Sequence, residues 1–344
     1  MMNLIDKQIK LANKFDFKLN KIFLEISKST NKITKREKFI ISYFEKLLGL
    51  KYRSSANFLK RHTLGKNTIF TKFKLFIFII LSYFYLSKYF FELILNSKKT
   101  IKSADIIYLQ KKSSKTGIEK TYSELKRLSK INNINIDIIS LEFESFIFNK
   151  KNTLNSISKF KFKLLYAYKH VLFSIFIDFK ILSKINPPIK DLKIFIENLF
   201  ISKIVSEVET KLFLGSMLDK PIYTLIYMNK HPKKYICSFS DGYTFYPMPR
   251  PNHNFCDIFY ASCKSELDEF NNFGGFIKKN ELVGHVRLFN NNYNGISHLL
   301  LSKIKNFQKK ILISSTQGFI KNIDKNNNTL FGKGFIEKIN LFFK

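Results

Sequence analysis

Three consecutive stretches decide the fold: ADIIYLQ at 104–110, KTGIEKTYSELKRLSKI at 115–131 and NINIDIISLEF at 133–143. The first and third are short apolar runs bounded by polar residues, and between them apolar positions recur at helical spacing. Strand, helix and strand in that order predict one β-α-β unit of a parallel sheet. The turn QKKSSKTG at 110–117 puts small and polar residues ahead of a helix start, where backbone amides can hold an anion. It contains neither GxxxxGK[ST] nor GxGxxG, so it reads as an ordinary β-α loop.

Downstream the alternation continues. Residues 150–205 are helical and apolar, in KFKLLYAYKHVLFSIFIDFKIL and, after Pro187 and Pro188, in KDLKIFIENLFISKIVSEVE; His170 has no partner at local spacing and reads as a packed or exposed histidine. TKLFLGS at 210–216 is a strand. DKPIYTLIYMNK at 219–230 is a helix with Asp219 as N-cap and Pro221 just inside, and KKYICSFSDG at 233–242 is the next strand. CDIFYAS follows as a further strand, KSELDEF as a helix start, and ELVGHV at 281–286 as a strand-like end. The region 103–290 is therefore expected to be one Rossmann-like α/β domain with helices on both faces of its sheet.

Upstream, residues 1–70 read as a basic helical extension, because apolar residues recur at helical spacing in KREKFIISYFEKLLGL. Residues 71–102 are set apart as a membrane-associating region around the hydrophobic helix FKLFIFIILSYFYLSKYFFELIL at 73–95, whose longest uncharged run is Leu75 to Ser87. That is short of the roughly 20 residues a bilayer span requires. A span, a helix lying in the membrane plane and a core helix all remain open, with lysines at both edges favouring membrane contact.

Composition bounds the partners. The 344 residues carry a formal charge of +33 with 45% hydrophobic residues, enough to bury a core. Lys, Asn, Ile and Phe crowd nearly every window, and only six of the cationic residues are arginines (Arg36, Arg53, Arg61, Arg127, Arg250, Arg287). Arginine is the residue that grips phosphates and base edges bidentately, so a nucleic-acid partner is not expected. Lysines do attract acidic lipid surfaces. Three cysteines are too few for a disulfide framework or a four-ligand zinc site, and MMNLIDKQIKLANKFDF lacks the apolar core of a signal peptide. The expected place is the cytoplasm, peripheral to the inner face of the cell membrane, with no metal.

The functional signal sits at 240–290. Ser240, Asp241 and Gly242 leave the C-terminal end of a buried strand, the edge where open α/β sheets bind ligands. The loop GYTFYPMPRPNHN at 242–254 is stiffened by prolines and offers Tyr243, Tyr246, Arg250 and His253 to a ligand. This order, with CDIFYAS and then Val283-Gly284-His285-Val286-Arg287, resembles the end of the first domain in GT-B-fold glycosyltransferases of bacterial surface-polysaccharide and lipopolysaccharide biosynthesis and their glycerophosphotransferase-like relatives. After a linker at 291–309, KKILISSTQG resembles the first strand and phosphate-side loop of that family's nucleotide-sugar-binding domain.

The resemblance covers about 103–344 and rests on pattern. It implies transfer of a sugar from a nucleotide-sugar to a glycan or lipid-linked acceptor, without a further cofactor. It also implies His253 or Asp241 as base, and Ser240, Gly242, Tyr243, Arg250, Gly284, His285, Arg287, Ser314, Ser315, Thr316 and Gln317 as substrate or phosphate contacts. The family's second domain is far longer than 310–344, so the chain reads as a fragment, and whether it is active as it stands is open. Two rivals are a non-catalytic membrane-associated scaffold and a basic nucleic-acid-binding protein.

Overall fold

The computed structural model describes residues 2–29, 33–53, 55, 57–66, 68–96, 104–111, 126–127, 129–130, 133–141, 143–144, 147–148, 157, 164–216, 220–239, 254–261, 264 and 275–283. The chain divides into two units, Met1–Phe289 and Asn290–Lys344, and all described residues belong to the first.

Six parallel strands make the sheet: β1 (Ile106–Lys111), β2 (Ile136–Leu141), β5 (Leu212–Ser216), β6 (Tyr235–Phe239), β7 (Asn254–Ala261) and β8 (Gly275–Leu282), in the order β2-β1-β5-β6-β7-β8. A separate two-stranded antiparallel ladder pairs β3 (Phe143–Glu144) with β4 (Ile147–Phe148). The protein is thus α/β and Rossmann-like, and the strand order reverses between β1 and β5, as in flavodoxin-type sheets. Ile106 faces Ile136 on one side and Leu212 on the other, and Cys237 faces Ile258.

The last strand lies earlier than its apolar residues suggest. It is GFIKKNEL rather than ELVGHV, because Lys278, Lys279 and Asn280 sit on a sheet edge, where polar side chains are tolerated and lysines discourage pairing with another chain.

The helices are α1 (Met2–Lys28), α2 (Lys35–Tyr52), α3 (Phe58–Arg61), α4 (Ile69–Asn96), α5 (Leu164–Ile177), α6 (Phe179–Ile185), α7 (Ile189–Glu207) and α8 (Pro221–Asn229). Pro221 is the first residue of α8 and Lys220 its N-cap; Asp219, expected to hold that place, lies outside the described residues. Helix α7 has almost no polar face: nearly every residue from Asp191 to Ser206 is buried, as a helix must be when apolar residues run all round it.

The covering of α7 comes partly from the N-terminal helices, which share the core of the sheet instead of forming a separable extension. Helix α2 starts in a capping box, Thr34 Oγ1 accepting from the Glu37 amide and Glu37 Oε2 from the Thr34 amide. It packs Tyr43 and Phe44, both 0% exposed, against Phe195 at ring separations of 5.2 and 5.1 Å. Asn198 Nδ2 donates to Tyr43 Oη at 2.9 Å. One turn earlier Phe39 meets Phe255 of β7 at 5.0 Å, so α2 reaches the sheet itself.

Ion pairs fasten the same helix. Arg36 forks onto Asp178, the N-cap of α6, at 2.6 and 2.7 Å. Lys51 Nζ (2.5 Å) and Tyr52 Oη (3.0 Å) both donate to Asp191 in the first turn of α7. Both carboxylates are almost fully buried, and burial pushes Asp178 above the ordinary carboxylate range even with Arg36 beside it. At the far end of α7, Lys234 Nζ donates to the carbonyls of Ser206 (2.5 Å) and Val208 (2.6 Å), a cationic cap on the last turn.

Phe44→Ala removes a buried ring that α2 and α7 share. It should cost about 3–5 kcal/mol, read as a lower denaturant midpoint with an unchanged slope; a loss within about 0.5 kcal/mol would mean α2 is not part of the core.

Candidate functional site

A parallel sheet presents its strand ends on one edge, and the crevice opens where the strand order reverses. Here that edge is marked by Lys111, Ser216, Phe239, Ala261 and Leu282, with the reversal between β1 and β5. Ser240, Asp241 and Gly242 follow β6 directly, and the segment carrying Tyr243, Tyr246, Arg250 and His253 ends where β7 begins at Asn254. All of these lie outside the described residues, as do Gly284, His285 and Arg287 just past β8 and Ser314, Ser315, Thr316 and Gln317 further on. The fold establishes the chain positions from which these loops start and return, at the C-terminal ends of β6 and β8 and at the start of β7.

Beneath that edge the sheet face is apolar. Tyr108 and Phe239 stack at 6.3 Å, and Ile136, Ile138, Leu214 and Tyr260 pack around them. Alternation explains the sorting: Ile107, Leu109 and Ile139 go to the opposite face, into the main core. The described helices pack on that main-core face. The segments expected to supply helices elsewhere, 112–125 and 265–274, lie outside the described residues.

The strongest polar constellation among the described residues is one the apolar-run reading passed over. Asp257, 1% exposed, sits inside the apolar strand NFCDIFYA. Its Oδ1 accepts from Tyr227 Oη (3.2 Å) and Lys278 Nζ (2.7 Å), and its Oδ2 from the Ile236 amide (2.9 Å) and Lys230 Nζ (3.0 Å). Burial works to raise its pKa, but the hydrogen bonds from Lys278, the Ile236 amide and Lys230 together outweigh it and hold the carboxyl below its ordinary range. With both oxygens doubly engaged, the group is a clamp joining α8, β6, β7 and β8, not a base open to substrate. The signal in the sequence was a lone acid in a run that otherwise calls for apolar residues.

Other reactive side chains are equally occupied. Burial pushes the Cys237 thiol up to about 11 and the Cys256 thiol up to about 12, which keeps both protonated and poor nucleophiles; Cys263 lies outside the described residues. His170 is half-buried on α5 with Nδ1 at 3.2 Å from Ser174 Oγ. Burial, and then the charges of Lys203 and Arg36, bring its pKa down to about 4. Among the described residues no three His, Cys, Asp or Glu side chains cluster as a metal ion requires.

No protein-family model, curated protein or solved structure matches this chain.

The site carries two pH-dependent outcomes. Asp257 has a folded-state pKa below its unfolded value of 3.8, so its contribution is present above about pH 4 and is lost as the pH falls through the folded value. Asp257→Asn should therefore cost about 3 kcal/mol at neutral pH, and the gap between variant and wild type should close in acid; a gap that does not change with pH would contradict the clamp. His170 is held neutral, so its contribution is present above about pH 6.5 and disappears as the pH falls toward about 4. His170→Gln should flatten that part of the acid limb in a series of unfolding curves, and an unchanged limb would place the acid sensitivity elsewhere.

Proposed function

We propose that this chain carries the acceptor-side domain of a GT-B-like glycosyltransferase acting on a glycan. The single observation that supports the reading is topological. An all-parallel sheet sends the segment after β6 out at its ligand-binding edge, and that segment holds Ser240, Asp241, Gly242, Tyr243, Arg250 and His253. Neither the fully engaged Asp257 nor the buried thiols compete for the chemistry.

In this reading the acceptor hydroxyl oxygen attacks the anomeric carbon of a nucleotide-sugar. The hydroxyl proton passes to His253 or Asp241, the bond from the anomeric carbon to the phosphate oxygen breaks, and the nucleoside diphosphate leaves with the bonding electrons. Arg250 and Arg287 are the groups that would balance its charge.

The test is a glycan array probed with the full chain, followed by a transfer assay that supplies a panel of nucleotide-sugars with each bound glycan. Saturable glycan binding weakened by Arg250→Ala is expected. In transfer, His253→Ala or Asp241→Ala should lower turnover by about 10²–10⁴-fold while glycan affinity changes little, since a base acts mainly in the transition state. A chain that binds no glycan and transfers no sugar would sink the reading.

A further inference from the structure

We infer that α4 and α5 together form a docking face for an anionic phospholipid bilayer, against which the protein lies with α4 in the plane of the membrane. The inference does not depend on the glycosyl-transfer reading.

Helix α4 carries two apolar stripes on opposite sides. One, through Thr71, Leu75, Ile79, Ser82 and Leu86, is buried. The other, through Phe73, Ile77, Ile80 and Phe84, stands in solvent, with Phe84 72% exposed. A soluble surface has no use for a bare stripe of large apolar side chains several turns long. Helix α5 extends it: Phe173 (72% exposed), Phe176 and Ile177 are bare on its outer side, and Tyr83 of α4 touches Phe176 at 6.0 Å between ring centres, joining the two helices.

The residues from Ile69 to Lys88 are long and apolar enough to cross a bilayer. The inner stripe argues against crossing, because over the same turns the helix is tied to its own domain. Lys74 Nζ donates to Asn186 Oδ1 at 2.9 Å, Ser87 Oγ lies 2.8 Å from Tyr168 Oη, and the Phe90 and Tyr168 rings are 4.9 Å apart. A span has to leave the domain and offer lipid to every side, whereas this helix has only one side to offer.

Charge selects the partner. Among the described residues of α4 and α5, every exposed charged side chain is a lysine: Lys72, Lys88 and Lys169. At 100° per residue Lys72 falls on one flank of the bare stripe, and Lys88 on the other. Long side chains so placed reach sideways to headgroup phosphates while the aromatic rings enter the acyl boundary. Along the same flank as Lys74, a groove of about 370 Å³ runs between α4 and α7, walled by Phe73, Ile77, Leu81 and Ile189 with Lys74 and Lys193. Its largely apolar lining suits one acyl chain.

The test is flotation of the full chain with phosphatidylcholine vesicles, with and without phosphatidylglycerol, at low and high salt. Binding to the anionic vesicles, weakened by salt and released by alkaline carbonate, is expected. Phe84→Asp combined with Phe173→Asp should lower the vesicle partition coefficient about a hundredfold, because two charges would have to enter the apolar layer. Their unfolding midpoint should be unchanged, and Phe84→Leu with Phe173→Leu should retain binding. Lys72→Gln, Lys88→Gln and Lys169→Gln together should reduce the preference for phosphatidylglycerol about tenfold or more.

Absence of flotation, binding indifferent to the aspartates, or resistance to carbonate would each overturn the proposal. So would aspartates that instead dissociate a dimer in vesicle-free solution, which would assign the face to a second copy of this chain.

Discussion

A helix without a polar side cannot rest on the surface of a sheet, and α7 is such a helix from Asp191 to Ser206. It has to be enclosed, and the enclosure accounts for much of the rest. Helix α2 supplies Tyr43 and Phe44 against Phe195, α8 supplies Asn229, whose Nδ2 donates to Ser202 at 2.8 Å, and α4 and α5 close the outer sides. Several polar groups on α7 are met from a neighbour: Asn198 Nδ2 donates to Tyr43, Asp191 takes Lys51 and Tyr52, and the last carbonyls take Lys234.

This enclosure assigns part of the large positive charge. Arg36, Lys51, Lys203, Lys230 and Lys234 are spent inside the fold, on Asp178, Asp191, Glu207, Asp257 and the end of α7. Each is partly or largely desolvated, and a cation in that position is tolerated because a carboxylate or carbonyl faces it. The lysines on α4 and α5 have no such acid partners on their own helices among the described side chains, and they border bare aromatic and aliphatic groups. One residue type thus serves as counter-ion inside the fold and, in the membrane-docking proposal, as the headgroup-seeking edge outside.

The sheet edge at the strand C-termini and the apolar α4–α5 face are built by different means. The edge is a consequence of parallel pairing alone: any sequence that pairs β1 between β2 and β5 creates a reversal, with the C-terminal strand ends on one edge. The α4–α5 face depends on particular side chains and would vanish if Phe73, Phe84 and Phe173 were polar.

Local pattern carried most of the strands. Apolar runs at 106–111, 136–141, 212–216, 235–239 and 254–261 are where the strands are, since a strand buried on both faces needs apolar residues without alternation. The same rule misplaced β8, an edge strand whose lysines and asparagine hide it. It also passed over Asp257, whose four partners come from α8, β6 and β8 and are adjacent only after folding. Nor did it join the N-terminal helices to the sheet: Arg36 meets Asp178 and Lys51 meets Asp191 across about 140 positions of chain, a distance over which periodicity is silent. The apolar strands on either side of the candidate loop were legible, and they fix its chain ends at the close of β6 and the start of β7; residues 240–253 lie outside the described residues. By itself the sequence determined the α/β class, the helices and most strands, because burial and period act between near neighbours. Tertiary structure alone decided which side of α4 faces outward, which cations are counter-ions and where Asp257 acts, because those depend on partners that only the packed chain brings within reach.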